Sequence, residues 1–221
     1  MGRVFAFSWM CLVLCGLSFQ SQAATPIRGF PVQLEGTVDL ASPLVADLDG
    51  DGRLELLLAS RDKIHGLEMY GSAVEGFPVS VGKNAVLQTG LSLGRFAAQG
   101  PELMTFGTSD GAIQVLELTG KSLPGFPYMA GKKAVGTPLF AELGTGGAKG
   151  ILAALMDGRI IAIGPDGKAQ PGFSLRIPAT PSTSPTWGRL VPGEPPLLFI
   201  GDEQGHLHAL KGDGSPLAGF P

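Results

Sequence analysis

The sequence predicts an all-β fold, a β-propeller of four four-stranded blades. Three observations lead there. The tripeptide Gly-Phe-Pro recurs at a near-constant spacing, short apolar runs rich in Leu, Ile and Val lie between its copies, and the 221 residues include Gly 34 and Pro 18. Many short apolar runs set among Gly and Pro suit strands and tight turns better than helices.

The period comes first. Gly29-Phe30-Pro31 returns as Gly76-Phe77-Pro78, Gly125-Phe126-Pro127, Gly172-Phe173-Ser174 and Gly219-Phe220-Pro221, and the phenylalanines are 47, 49, 47 and 47 residues apart. Four units follow, 29–75, 76–124, 125–171 and 172–218. Each carries four extended segments. One follows the Gly-Phe-Pro, as in Val79-Ser80-Val81, and one follows Ser42-Pro43 as Leu44-Val45-Ala46, with Thr137-Pro138 and Ser184-Pro185 at matching places. A third is the apolar run at 54–59, 103–107, 150–155 and 197–201, and a fourth lies at 64–69, 112–118, 159–163 and 206–210. Asp110-Gly111, Asp157-Gly158 and Gln204-Gly205 separate the third from the fourth, as expected where a two-residue hairpin turn needs positive φ. The first unit has Asp62-Lys63 there and has lost the glycine. Four strands in about 45 residues make a propeller blade, whose faces its neighbours must cover; a regular period of this length argues against another β-sandwich.

The units fill residues 24–221 as one repeat domain. The last one stops at Gly219-Phe220-Pro221, where its final strand should begin, and the start supplies a spare copy over Ile27 to Leu34. That N-terminal strand is expected to complete the fourth blade and close the ring. The rival readings are a partial propeller, or an open arc that pairs with a second copy as a homodimer.

Residues 1–23 read as a secretory signal peptide. Arg3 precedes an uncharged apolar run, Val4 to Phe19, and small residues follow at Ser21, Ala23 and Ala24. The cut is expected after Ala23, or second after Ala24. The run of 16 residues is short for a membrane span, so no span is expected after cleavage. A lipoprotein cleaved before Cys15 is disfavoured by the bulky Leu14. Both cysteines, Cys11 and Cys15, lie inside this segment, which leaves the exported chain no thiol for a disulfide, a metal or a nucleophile. The predicted location is secreted, periplasmic or on the cell surface. The net charge of −3, with no run of Lys or Arg, excludes nucleic acid as an expected partner.

One stretch carries chemistry. Residues 47–55 read D-x-D-x-D-G-x-x-E, with carboxylates from Asp47, Asp49, Asp51 and Glu55 and glycines that let the backbone curl around one point. The carbonyl of Arg53 adds an oxygen at position 7. Ca²⁺ takes 6 to 8 oxygens in a flexible shell, and this turn offers most of them; Mg²⁺ prefers to keep waters in a strict octahedron. The stretch is no EF-hand, because Leu58 stands where the twelfth-position acid belongs and a strand follows instead of a helix. A solvated acidic turn is the plainer reading, and it leaves four clustered carboxylates to repel one another. The other units lack the pattern, since Asp47 aligns with Arg95, Glu142 and Arg189. One Ca²⁺ is therefore expected. Arg95 and Arg189 are read either as side-chain cations at that place or as solvated arginines.

The segment SPLVADLDGDGRLELLLAS, with the recurring Gly-Phe-Pro, resembles the FG-GAP/VCBS repeats of integrin-α-like β-propellers. The resemblance covers all four units, with the calcium motif in the first alone. It implies Ca²⁺ held by Asp47, Asp49, Asp51, the Arg53 carbonyl and Glu55. It also implies an exported or cell-surface protein used for binding or assembly, in a family whose propellers commonly have about seven blades.

No catalytic constellation is visible, and the expectation is a non-catalytic binding or scaffold module for a protein or glycan. The alternative is a polysaccharide-active enzyme, or a subunit of one, on a propeller. The histidines are His65, His206 and His208. His206 and His208 alternate on one strand and share a face, but a transition-metal site needs more ligands than that pair supplies.

Overall fold

The computed structural model describes residues 27–38, 43–82, 85–143, 149–171, 173 and 175–220. Residues 1–26 lie outside these, and with them the segment read as a signal peptide. The described residues contain strands and turns but no helix, and so none long and apolar enough to cross a membrane.

Among the described residues fifteen strands form four antiparallel sheets. Blade I contains β1 (Leu44–Ala46), β2 (Glu55–Ser60), β3 (Lys63–Leu67) and β4 (Val79–Ser80). Blade II contains β5 (Ser92–Gly94), β6 (Leu103–Gly107), β7 (Ala112–Glu117) and β8 (Tyr128–Met129). Blade III contains β9 (Ala134–Glu142), β10 (Lys149–Leu155), β11 (Arg159–Ile163) and β12 (Leu175–Arg176). Blade IV contains β13 (Thr186–Gly188), β14 (Leu197–Gly201) and β15 (Leu207–Lys211). Strands within a blade pair in chain order, as hairpin-linked neighbours do. The apolar runs are β2, β6, β10 and β14, within a residue of their expected limits. The copies at Phe77, Phe126 and Phe173 sit between the third and fourth strands of blades I, II and III, so these repeats open on the last strand of a blade.

That tripeptide has a local cause. Gly29, Gly76, Gly125 and Gly219 have φ between 86° and 91°, a region costly for any residue with a Cβ. In each copy the Phe N–H donates to the carbonyl three residues back, as Phe77 does to Val74 at 3.1 Å and Phe220 to Leu217 at 3.1 Å.

The hairpin turns differ from expectation. In blade II the Thr108 N–H donates to Ala112 at 2.9 Å and the Gly111 N–H to Thr108 at 3.0 Å, which makes a three-residue loop. Gly111, Gly158 and Gly205 close such loops with φ near 83°, the geometry of a turn ending in a bulge. Only blade I has the two-residue form, with Ser60 paired to Lys63. There Arg61 takes the positive φ of 39° that the lost glycine would have carried.

Packing joins successive blades through three apolar clusters. Leu57, Ile64, Met104 and Phe106 fill the space between blades I and II. Ile113, Val115, Ile151 and Ile163 do so between II and III, and Leu152, Ile160, Leu198 and Ile200 between III and IV. β6 is buried at every position, because both faces of blade II are covered. β14 alternates, with Leu198 and Ile200 buried and Leu197, Phe199 and Gly201 half-buried, because one face of blade IV has no neighbour among the described residues.

The strand expected to complete the fourth blade does not pair with it. Among the described residues the fourth sheet has three strands. Residues 27–34 lie instead against blade I. Arg28 sits over the Tyr70 ring, 6.0 Å from its centroid, and a Cβ on Gly29 would strike the Tyr70 carbonyl. Gly125 of blade II meets Asp166 of blade III in the same way. The N-terminal Gly-Phe-Pro thus takes the place beside blade I that a preceding blade would occupy.

Candidate functional site

The acidic stretch forms the loop from β1 to β2, and the pairing of Ala46 with Glu55 sets its two ends side by side. Asp47 folds the loop around itself. Its Oδ1 accepts the Gly50 N–H at 2.7 Å and its Oδ2 the Gly52 N–H at 3.0 Å. Gly50 and Gly52 have φ of 83° and 85°, which the sharp curl requires. Leu48 drops into the cluster between blades I and II and anchors the loop. At the base lies Glu55, 2% exposed, whose Oε2 accepts the Leu48 N–H at 2.8 Å.

Three of the four expected carboxylates converge. Asp47, Asp49 and Glu55 each offer an oxygen, and all three oxygens lie within 4.8 Å of one another. Asp51 is not part of this group. Its Oδ1 accepts the Arg53 backbone N–H at 2.7 Å, and its Oδ2 lies 3.9 Å from the exposed Arg53 Nε, so this carboxylate turns toward Arg53. Among the described residues no Lys, Arg or His forms an ion pair with Asp47, Asp49 or Glu55. Three close oxygens with no side-chain cation, one of them on a buried carboxylate, suit a hard divalent ion with oxygen ligands. In the other blades this corner has changed hands: Arg95 faces Glu102 at 3.9 Å and Arg189 faces Glu142 at 3.8 Å.

The histidines fall at equivalent points of two blades. His65 of blade I pairs across the hairpin with Leu58, and His208 of blade IV with Ile200. The Nε2 of His65 lies 2.7 Å from the Ser60 Oγ. Burial lowers the His65 pKa from its usual 6.5, and the Lys63 charge lowers it further. His206 and His208 share a face, as their alternation predicts, and both reach the carboxylate of Asp202. Asp202 is the residue that sequence reasoning missed. Its signal is an acid four positions before the first histidine of His-Leu-His, across a turn closed by Gly205.

No protein-family model matches the chain, and neither does any curated protein. Solved structures do match. BBS1N in complex with ARL6DN, in a crystal soaked with lead, aligns with a TM-score of 0.57 at 15% identity, over 80% of this chain and 52% of that one. BamB from Moraxella catarrhalis aligns with a TM-score of 0.51 at 19% identity, over 80% of this chain and 50% of that one. The chain spans about half the length of these proteins. Both are β-propellers, and together with four antiparallel sheets packed face to face they show that the fold here is of the β-propeller type.

Proposed function

We propose that this chain is an exported, non-catalytic propeller module of the FG-GAP/VCBS type, which binds a partner on its blade surfaces and holds one Ca²⁺ in the β1–β2 loop of blade I. The observation that carries the reading is the convergence of Asp47, Asp49 and Glu55, with no side-chain cation paired to them among the described residues. Asp47 and Asp49 would supply oxygens from the loop and Glu55 one from the strand. The ion would tie the two together and stiffen that corner of the blade. The partner is read as a protein. A propeller of similar fold, BBS1N, was crystallised in complex with the protein ARL6DN.

Calorimetric titration of the purified chain with Ca²⁺ tests the reading. One equivalent should bind at roughly 10⁻⁴ to 10⁻³ M, the range of extracellular sites, and Asp49→Ala should abolish it. No heat of binding at millimolar Ca²⁺ would overturn the calcium assignment.

A further inference from the structure

A second cluster of convergent side chains lies in blade IV, on different residues and with different chemistry. The turn from β14 to β15 runs from Asp202 to Gly205, and its backbone is fixed. The Asp202 N–H donates to His206 at 3.0 Å, the Gly205 N–H to Asp202 at 3.2 Å, and the Glu203 N–H to Thr180 at 3.0 Å. Asp202 is 4% exposed. Its Oδ1 accepts the backbone N–H groups of Gln204 and His206, each at 2.9 Å. Those two bonds lock the carboxylate, and its other oxygen points at the histidines. Oδ2 lies 2.7 Å from the His208 Nε2 and 3.2 Å from the His206 Nδ1.

We infer that Asp202, His206 and His208 form a binding site for one divalent transition-metal ion, of which Zn²⁺ is the representative. One carboxylate oxygen and two imidazole nitrogens, all within 4.8 Å of one another, are a mixed donor set. Such a set suits Zn²⁺, Co²⁺ or Ni²⁺ and not Ca²⁺, which takes oxygen ligands. A tetrahedron with bonds of about 2.0–2.1 Å has edges of about 3.3–3.4 Å. The Asp202–His206 separation is already close to that, and His208 needs to withdraw by about half an ångström to match it. The ion takes the place of the two imidazole protons that now point at Oδ2. The backbone bonds to Oδ1 then serve as the outer contacts that orient a ligating carboxylate.

The burial pattern says what kind of site this is. His208 is 2% exposed, whereas the His206 side chain is 51% exposed. A metal here is held from below by His208 and Asp202 and faces solvent beside His206. At least one coordination position stays with water, as in sites with three protein ligands. The other blades have lost the set. Blade II has Thr108 and Gln114 in place of Asp202 and His208, and blade III has Leu155 and Ile161. Blade I keeps the histidine, His65, but puts Ser60 where Asp202 stands and Lys63 where His206 stands.

Titration of the tag-free chain with Zn²⁺, and with Co²⁺ as a spectroscopic substitute, tests this. One equivalent of Zn²⁺ should bind, and Co²⁺ should give the intense visible absorption of low coordination. His206→Ala removes an exposed side chain and should leave the fold intact while weakening Zn²⁺ binding by more than about tenfold, the loss expected when one of three protein ligands goes. Asp49→Ala should leave Zn²⁺ binding unchanged, and excess Ca²⁺ should leave the Co²⁺ spectrum unchanged. If His206→Ala binds Zn²⁺ as tightly as the parent, or Co²⁺ keeps its six-coordinate aqueous spectrum, the cluster is a hydrogen-bonded clamp and the assignment fails. Displacement of Co²⁺ by Ca²⁺ would place the ion in the β1–β2 loop instead and equally overturn it.

Discussion

The Nε2 of His65 and the Oγ of Ser60 are hydrogen-bonded at 2.7 Å inside the first blade, with both residues buried. Ser60 has a single hydroxyl proton, which it donates to the carbonyl of Glu35 at 3.0 Å. The imidazole must then donate, so neutral His65 carries its proton on Nε2. The Ser60 bond to Glu35 ties the N-terminal segment to the hairpin of blade I. The ion pair of Lys63 with Glu35 covers the same junction.

A pH dependence follows. Burial and the Lys63 charge lower the His65 pKa, while Glu35 and Asp62 act weakly in the opposite direction. The folded chain thus binds this proton less readily than the unfolded chain does. The stability linked to His65 is complete above the unfolded value of 6.5 and declines as the pH falls below it. The melting temperature should fall between about pH 7.5 and pH 5.5. His65→Gln should melt lower at neutral pH and show a shallower slope. Equal slopes for the two proteins would show that His65 does not titrate on unfolding.

Blades II and III meet closely where Gly94 of β5 faces Phe140 of β9. A Cβ at Gly94 would lie 2.6 Å from the Phe140 Cγ and 2.8 Å from its Cβ. Gly94→Ala should cost about 1–3 kcal/mol through overpacking. Phe140→Leu should recover part of that loss in the double variant, measured by urea unfolding. Additive losses would mean that the two residues do not share the strain.

Blades III and IV are joined by Trp187, whose Nε1–H donates to the Glu142 carbonyl at 2.7 Å while its ring packs 6.1 Å from Phe173. Trp187→Phe keeps an aromatic ring and removes the hydrogen bond. It should lower stability by about 1 kcal/mol. A variant as stable as the parent would show that water serves the carbonyl equally well.

Asp51 distinguishes the sequence pattern from the structure. The motif gives it equal standing with Asp47 and Asp49, yet its carboxylate is engaged by Arg53. Asp49→Ala should abolish the rise in melting temperature with Ca²⁺, and Asp51→Ala should only diminish it. At 10 mM Ca²⁺ the parent should gain about 1.5–3 kcal/mol if the dissociation constant is roughly 10⁻⁴ to 10⁻³ M. Equal loss in both variants would return Asp51 to the ligand set.

The longer strands were legible because β2, β10, β11 and β14 are rich in Leu and Ile and are bounded by Gly, Asp or Pro, and that pattern is local. Leu103–Gly107 and Arg159–Ile163 fall within limits readable from the residues alone. The turn types were less legible. Whether Asp110-Gly111 closes two residues or three depends on which carbonyl Gly111 reaches, and composition does not encode that. The acidic pattern put Asp47, Asp49 and Glu55 in one group, and their oxygens do lie close together. The side-chain rotation that gives Asp51 to Arg53 depends on the backbone of the curl. Asp202 was hidden for a different reason. Its partners sit four and six residues on, beyond a turn, and the hairpin alone brings the carboxylate back over both histidines. The place of residues 27–34 beside blade I was the least accessible, since a repeat shows what a segment resembles and not which neighbour it meets.

The calcium assignment is tested most directly by a crystal structure of the chain grown in millimolar CaCl₂, with anomalous data collected. The account predicts one anomalous peak between Asp47, Asp49 and Glu55, with oxygen ligands at about 2.3–2.6 Å. A loop that holds only water there, with the three carboxylates splayed into solvent, would contradict it.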